Sequence, residues 1–368
     1  MKYIKPYRIF ESVSPNFPTT RDEVIEVCRK YKIENYTIND DLSIDVNGDV
    51  ELDSKNLKYL PLKFNYVSGD FYCHDNNLES LEGSPQTVGG GFLCAYNKLK
   101  TLEDSPQTVG AFNCSDNELK SLEGCPSVVN GNFLCDDNEL ETLKGSPQTI
   151  SGDFSCGNNE LKSLEGCPQT VDGDFECSNN NLVSLKGCPQ TVSDSFYCHD
   201  NELKTLEGSP QTVDGDFDCS YNELETLEGG SQTVGGTFNC SYNELITLEG
   251  SPQTVNGNFL CFGNELITLE GSPQTVNGNF LCFGNELKDL EYFPEVSGNV
   301  YIKGNTVYLL VYTFIRTASS FMIEDFIDYE IVRNRDTVML DRLQTFIRDN
   351  DLKMPNLKEI KKHYKIIE

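Results

Sequence analysis

A β-rich solenoid of about thirteen short coils, closed by small helical segments, is the fold class this sequence predicts. Three observations lead to it. Eleven cysteines, from Cys73 to Cys282, stand 21 residues apart, with one 20-residue step between Cys94 and Cys114. An asparagine follows each of them three residues later, from Asn76 to Asn285. Two leucines and a Gly-x-Pro segment then return the pattern to its start in most units. A fixed period of roughly 20 to 50 residues marks units that stack only on their neighbours.

The chain divides into residues 1–41, 42–307 and 308–368. Met1 to Ser12 carries scattered charges and no apolar segment, and reads as a loosely attached leader rather than a secretory signal. Within it Ile9-Phe10-Glu11 resembles the I/L-x-E signal at which short leaders of tailed-phage head proteins are cut. Thr20-x-x-Glu23 is a capping box that opens a helix to about Tyr31. Val24, Ile25 and Cys28 fall on one face of that helix, suited to covering the first coil.

One full unit, Val171 to Cys188, reads V-D-G-D-F-E-C-S-N-N-N-L-V-S-L-K-G-C, followed by Pro189. Phe175 and Cys177 alternate with polar residues, so a short strand points both inward. Asn180 turns the chain, and its amide can satisfy backbone groups of its own and the adjacent coil. Leu182 and Leu185 return to the core. Gly187 and Pro189 exclude a regular helix, so the back of the coil is helix-poor. The three residues between Val and Phe, one more than in the short unit, predict a small bulge. Strand starts at 50, 71, 92, 112 and onward to 300 give thirteen coils, a sheet about 60 Å long at ~4.8 Å per strand.

The ladder cysteines suit packing in a narrow interior better than chemistry. Cys125, Cys167 and Cys188 occupy the Gly-x-Pro position instead, and Cys167 with Cys188 is the one pair expected to be able to bridge.

The segment Val109-x-x-Phe112-x-Cys114-x-x-Asn117-x-Leu119 resembles the leucine-rich repeat, whose core reads L-x-x-L-x-L-x-x-N-x-L. The likeness extends from about Asp45 to Val307, with Val46-x-x-x-Val50-x-Leu52 opening the array and Val300-x-Ile302-x-x-Asn305 closing it. Its texture is that of the short class of 20–22 residues found in bacterial effectors and in phage or large-virus proteins. The resemblance implies a parallel concave sheet whose outward side chains bind another protein.

Beyond Val307, helical spacing at Phe321, Phe326 and Ile327 predicts one helix and Leu340, Leu343, Phe346 and Ile347 a second. A third is expected from Pro355 to about His363. Together these residues form a C-terminal cap, which an otherwise open terminal coil needs.

A net charge of −29 excludes direct binding of nucleic acid or of an anionic membrane through charge. The longest apolar run, Val307 to Ile315, is far short of the ~20 residues of a membrane span. Unbridged thiols point to a reducing, cytoplasmic setting; a phage head or delivery into a host is the alternative. His74 and His199 lie six coils apart, ~29 Å, too far to share a metal. Asp45-Val-Asn47-Gly-Asp49 hints at a calcium loop, but Val50 and Asn56 stand where glycine and an acidic ligand are required. No nucleophile–base arrangement is legible around the three histidines. The chain reads as a non-enzyme, without a cofactor or metal.

Recognition is left to the outward positions flanking Phe and following Cys. In the middle coils they are acidic: Asp136, Asp137, Asp153, Asp174, Glu176, Asp216 and Asp218. Tyr197 stands among them. Toward the C-terminal end they become aromatic, with Tyr221, Tyr242, Phe262 and Phe283, and exposed aromatics favour contact sites. Residues 243–266 and 264–287 are identical over 24 positions, so whole coils are duplicated. These features predict a protein-binding scaffold whose partner carries a basic patch beside an apolar one. An acidic mimic of nucleic acid and a structural component of a virus particle are the other readings. Nothing in the sequence sets the oligomeric state.

Overall fold

Alternation of Phe and Cys with polar neighbours makes each coil a short strand, and the constant period lets the strands pair in register. A computed structural model describes residues 16–312 and 320–368; the leader cut after Glu11 and the side chain of Phe321 lie outside what is described. Thirteen strands, from Val50–Glu51 to Val300–Tyr301, form one parallel sheet. Phe175 lies opposite Phe154 and Phe196.

A second sheet of fourteen strands runs beside the first. It is built mainly from the Thr–Val pairs, such as Thr170–Val171 next to Thr191–Val192. Its first strand, Tyr36–Ile38, pairs antiparallel with Ile44–Val46 and closes that edge. The expected bulge between Val and Phe is thus a corner. Val171 ends one strand and Phe175 begins another in the neighbouring sheet. Glycine stands at this place in every coil but one, where Asp194 replaces it, and the coils approach closely: a Cβ on Gly173 would sit 2.7 Å from the Gly152 carbonyl carbon. In the short unit only Gly110 separates Thr108–Val109 from Ala111–Asn113.

The interior is a stack of identical layers. Eleven phenylalanines from Phe71 to Phe280 are fully buried, with successive ring centroids 5.2 to 5.9 Å apart. Ladder cysteines, and both leucines of each coil from Leu78 to Leu290, complete the layer at no more than 1% exposure. Replacing one such ring by a methyl group costs about 3–5 kcal/mol.

Asn180 shows how the turns are held. Its Nδ2 donates to the carbonyls of Cys156 in the preceding coil (3.0 Å) and of Cys177 (3.1 Å) and Ser178 (3.2 Å) in its own. Its Oδ1 accepts the Leu161 N–H at 3.0 Å. The same set recurs at Asn138, Asn159, Asn201, Asn222 and Asn243. A buried amide is the one side chain that supplies both donors and an acceptor here without charge.

All fifteen cysteines are free, Cys167 and Cys188 included, so the expected bridge is not formed. These two occupy equivalent places in successive coils, and a translational repeat points their side chains the same way rather than at each other. Several ladder thiols donate to a carbonyl of the next coil instead, as Cys177 Sγ does to Tyr197 O at 3.4 Å.

Helices stand only at the ends. Helix α1 (Arg21–Tyr31) begins at Thr20, whose Oγ1 accepts from Glu23 N–H while Glu23 Oε2 accepts from Thr20 N–H, the reciprocal capping box. Val24 and Cys28 bury its inner face. No helix interrupts the coils before α2 (Tyr308–Val311), α3 (Ser320–Asp328), α4 (Leu340–Asp349) and α5 (Leu357–Ile360). No helix among the described residues is long and apolar enough to cross a membrane.

The third C-terminal helix is shorter than expected. After α5 the chain extends as Lys365–Ile367 and pairs with Thr337–Met339, which pairs in turn with Val332–Arg333. Tyr364, buried at this point, donates its hydroxyl to the Lys288 carbonyl at 2.7 Å and ties the unit to the last leucine turn. Arg335 lies 3.5 Å from the buried Asp289 carboxylate beside it.

Candidate binding face

The Phe sheet turns its second set of side chains outward, and these differ from coil to coil. The column after Phe runs Leu134, Ser155, Glu176, Tyr197, Asp218, Asn239, Leu260, Leu281, each partly exposed. The column after Cys runs Asp136, Gly157, Ser178, His199, Ser220, Ser241, Phe262, Phe283. Backbone registration fixes both columns, since each residue sits directly over its counterpart in the next coil.

The acidic residues separate into two groups. Asp153, Asp174 and Asp216 stand immediately before Phe, at the corner. Asp153 Oδ1 accepts the Asp174 N–H at 3.0 Å, Asp174 Oδ1 the Ser195 N–H at 2.8 Å, and Asp216 Oδ1 the Thr237 N–H at 2.6 Å. Asn132, Ser195, Asn258 and Asn279 do the same in their coils. These carboxylates therefore belong to a second ladder that closes the corner. Sequence reasoning missed it, although its signal is visible: the residue before Phe or Val is Asp, Asn, Ser or Thr in every coil except at Gly91 and Ala111.

Asp136, Asp137, Glu176 and Asp218 lie on the sheet face or its turn edge. Asp136 accepts from the Ser155 hydroxyl and from Gly157 N–H at 2.9 Å. Burial nevertheless holds its carboxyl above the usual range. Glu176 is raised for the same reason, with bonds from Ser178 and the neighbouring His199 opposing the shift. Gly157 leaves a dip between them: a Cβ there would meet Asp136 Oδ1 at 3.4 Å and Glu176 Oε1 at 3.5 Å. Asp218 accepts from Ser220 N–H at 2.9 Å and from Asn239 Nδ2 at 2.9 Å. Tyr197 pairs in register with Glu176 and Asp218. His199 Nδ1 is 2.8 Å from Asp200 Oδ2.

The aromatic residues form one continuous row. Tyr221 and Tyr242 stack at 4.5 Å, Tyr242 meets Phe262 edge-on at 5.2 Å, and Phe262 stacks on Phe283 at 4.3 Å. Tyr221 and Tyr242 are 52% and 44% exposed, and both adopt φ +53°. Their column otherwise carries mainly Asp, Asn or Gly, which tolerate the left-handed region; a bulky side chain is disfavoured there by ~1 kcal/mol or more. Where the column becomes Gly263 and Gly284, the ring moves back one residue to Phe262 and Phe283. Gly263 is also what lets Tyr242 lean over, since a Cβ would lie 2.8 Å from the Tyr242 ring.

Two stacked parallel ladders with an asparagine turn and inward leucines define the class: this is a leucine-rich-repeat solenoid. Its structure is similar to that of YopM from Yersinia enterocolitica WA-314, at 20% identity and a TM-score of 0.50, over 70% of this chain and 64% of that one. The chain thus spans less than two thirds of that protein. A second similar structure is that of YopM from Yersinia pestis, described as a leucine-rich effector protein, at 19% identity and a TM-score of 0.45, over 70% and 77% of the two chains. At these identities the likeness concerns the fold alone. No family model and no curated protein matches the sequence.

Proposed function

We propose that the protein is a non-enzymatic scaffold that holds a protein partner against the outward face of the Phe sheet. The observation that carries this reading is the outward aromatic row Tyr221–Tyr242–Phe262–Phe283, whose two tyrosines are exposed and keep an unfavourable backbone conformation while the two phenylalanines are half-buried. Rings without a core duty, with Asp218 in the first coil of the row and Glu176 and Asp136 two and four coils before it, suit a partner segment with an apolar part and a more distant basic part. A nucleic-acid mimic is less well supported, because Leu134, Ser155, Tyr197 and Asn239 interrupt the carboxylates where a phosphate-like row would be continuous. The unbridged thiols suit work in a reducing compartment, whether a cytoplasm, a host cell after delivery or a phage head.

The test is capture of basic-apolar peptides from an array by the full chain. Phe262→Ser with Phe283→Ser, and separately Asp137→Lys with Asp218→Lys, are expected to weaken capture at least about tenfold, while Lys162→Glu on the back leaves it unchanged. Equal capture by all four proteins would end this reading.

A further inference from the structure

One exposed surface does not vary along the array. Immediately before the inward Val or Ile, nine coils carry the same Gln-Thr pair, from Gln86-Thr87 to Gln274-Thr275, interrupted only at Ser127-Val128. All nine glutamines are exposed, and the threonines point outward from the second sheet opposite the buried Val. Thr191, Thr212, Thr233 and Thr254 pair in register. The recognition face changes at nearly every coil, whereas this strip maps onto itself when moved by one coil. A surface of that kind does not read a unique partner; it fits an object with its own period.

Charge narrows the choice of object. The chain carries −29, and much of its surface repels a second copy. The Pro-Gln-Thr strip is uncharged, and the column beyond Val is neutral except at Asp172 and Asp214. Glu228, Glu249 and Glu270 border the strip and have no ion-pair partner among the described residues. Its area is also in range. Nine coil steps of ~4.8 Å by about 12 Å give roughly 500 Å² on each partner, about 1,000 Å² in total, the lower bound of a specific interface.

We propose that the Gln-Thr strip is a self-association face on which a second copy of this chain docks through the same strip. The contact is isologous, with the two arrays antiparallel and their glutamine and threonine columns meshed. The bordering glutamates oppose it, so salt strengthens it.

Sedimentation equilibrium of the full chain at about 10 mM and about 300 mM salt tests this. A concentration-dependent dimer, tighter at the higher salt, is expected. Thr191→Glu, Thr212→Glu and Thr233→Glu together should weaken it at least about tenfold. If that variant does not fold, Gln190→Glu, Gln211→Glu and Gln232→Glu, which lie outside the strands, serve instead. In a Cys125→Ser background, Thr191→Cys, half a coil from the two-fold axis of the overlapped strips and thus about 5 Å along the array from its copy, should give an oxidative cross-linked dimer and Tyr221→Cys on the other face should not. A monomer under every condition, a dimer indifferent to these substitutions, or cross-linking only through Tyr221→Cys would overturn the proposal.

Discussion

Asn180 and its equivalents are the residues on which the coils most depend, because each joins two coils through four hydrogen bonds in a dry interior. Asn180→Ala strands the Leu161 N–H, while the Cys156 carbonyl keeps its bond from Asn159 Nδ2 at 3.1 Å. At about 1–3 kcal/mol for a stranded buried group and about 0.5–1.5 kcal/mol for each further bond lost, the loss should be roughly 2–4 kcal/mol. A urea titration that placed the variant within 1 kcal/mol of the parent, to an order of magnitude, would contradict this role. Asp153, Asp174 and Asp216 teach a related lesson. Their charge suggested recognition, yet their oxygens hold the next coil's N–H, so their loss affects folding as well as any surface property. Tyr221 and Tyr242 show the reverse, a local conformational cost retained on an exposed side chain.

A coil is the element that exchanges as a unit. Since residues 243–266 and 264–287 are identical, removing 264–284 joins Gly263 to Asn285 in a sequence context already present. Every ladder then realigns with its neighbour. The shortened chain should fold with the same circular dichroism and melt only a few degrees lower. Its aromatic row is one ring shorter, so peptide capture should weaken without vanishing. Loss of the folded spectrum would show that this coil is not interchangeable. The C-terminal unit is not such an element. It is joined to the array by particular contacts, Tyr364 to Lys288 and Arg335 to Asp289, that no other coil offers.

The whole molecule inherits a pH limit from its repetition. Ten ladder thiols, from Cys73 to Cys261, are raised above the ordinary thiol range by burial. A group that binds its proton more tightly when folded adds stability below its unfolded pKa and loses it as pH rises toward the folded value. Each thiol thus withdraws about 0.4 kcal/mol at the unfolded pKa near 8.5 and about 1.4 kcal/mol one unit higher. Ten together withdraw roughly 14 kcal/mol there, comparable with the whole stability of an ordinary domain. Steep unfolding between about pH 9 and 10 should follow. Replacing three ladder cysteines by alanine should flatten the pH slope while lowering stability at neutral pH. A parent protein as stable at pH 10 as at pH 7 would refute the account.

The sequence by itself determined the repeat, the inward Phe, Cys and Leu, the asparagine turn and the N-terminal capping box. These depend on local spacing, and in a solenoid the neighbour is always the same pattern one period away. Only the tertiary structure decided that the coil turns a corner into a second sheet, because that follows from Val171 and Phe175 pairing with their counterparts in two separate ladders. Lys365–Ile367 joined a sheet rather than a helix through pairing with Thr337–Met339, nearly thirty residues earlier. Which acids face outward free of the corner, and that Tyr221, Tyr242, Phe262 and Phe283 form one row despite a one-residue shift in sequence, depend on backbone conformation. Local composition fixes what stacks; the geometry of the stack fixes what is left over to bind.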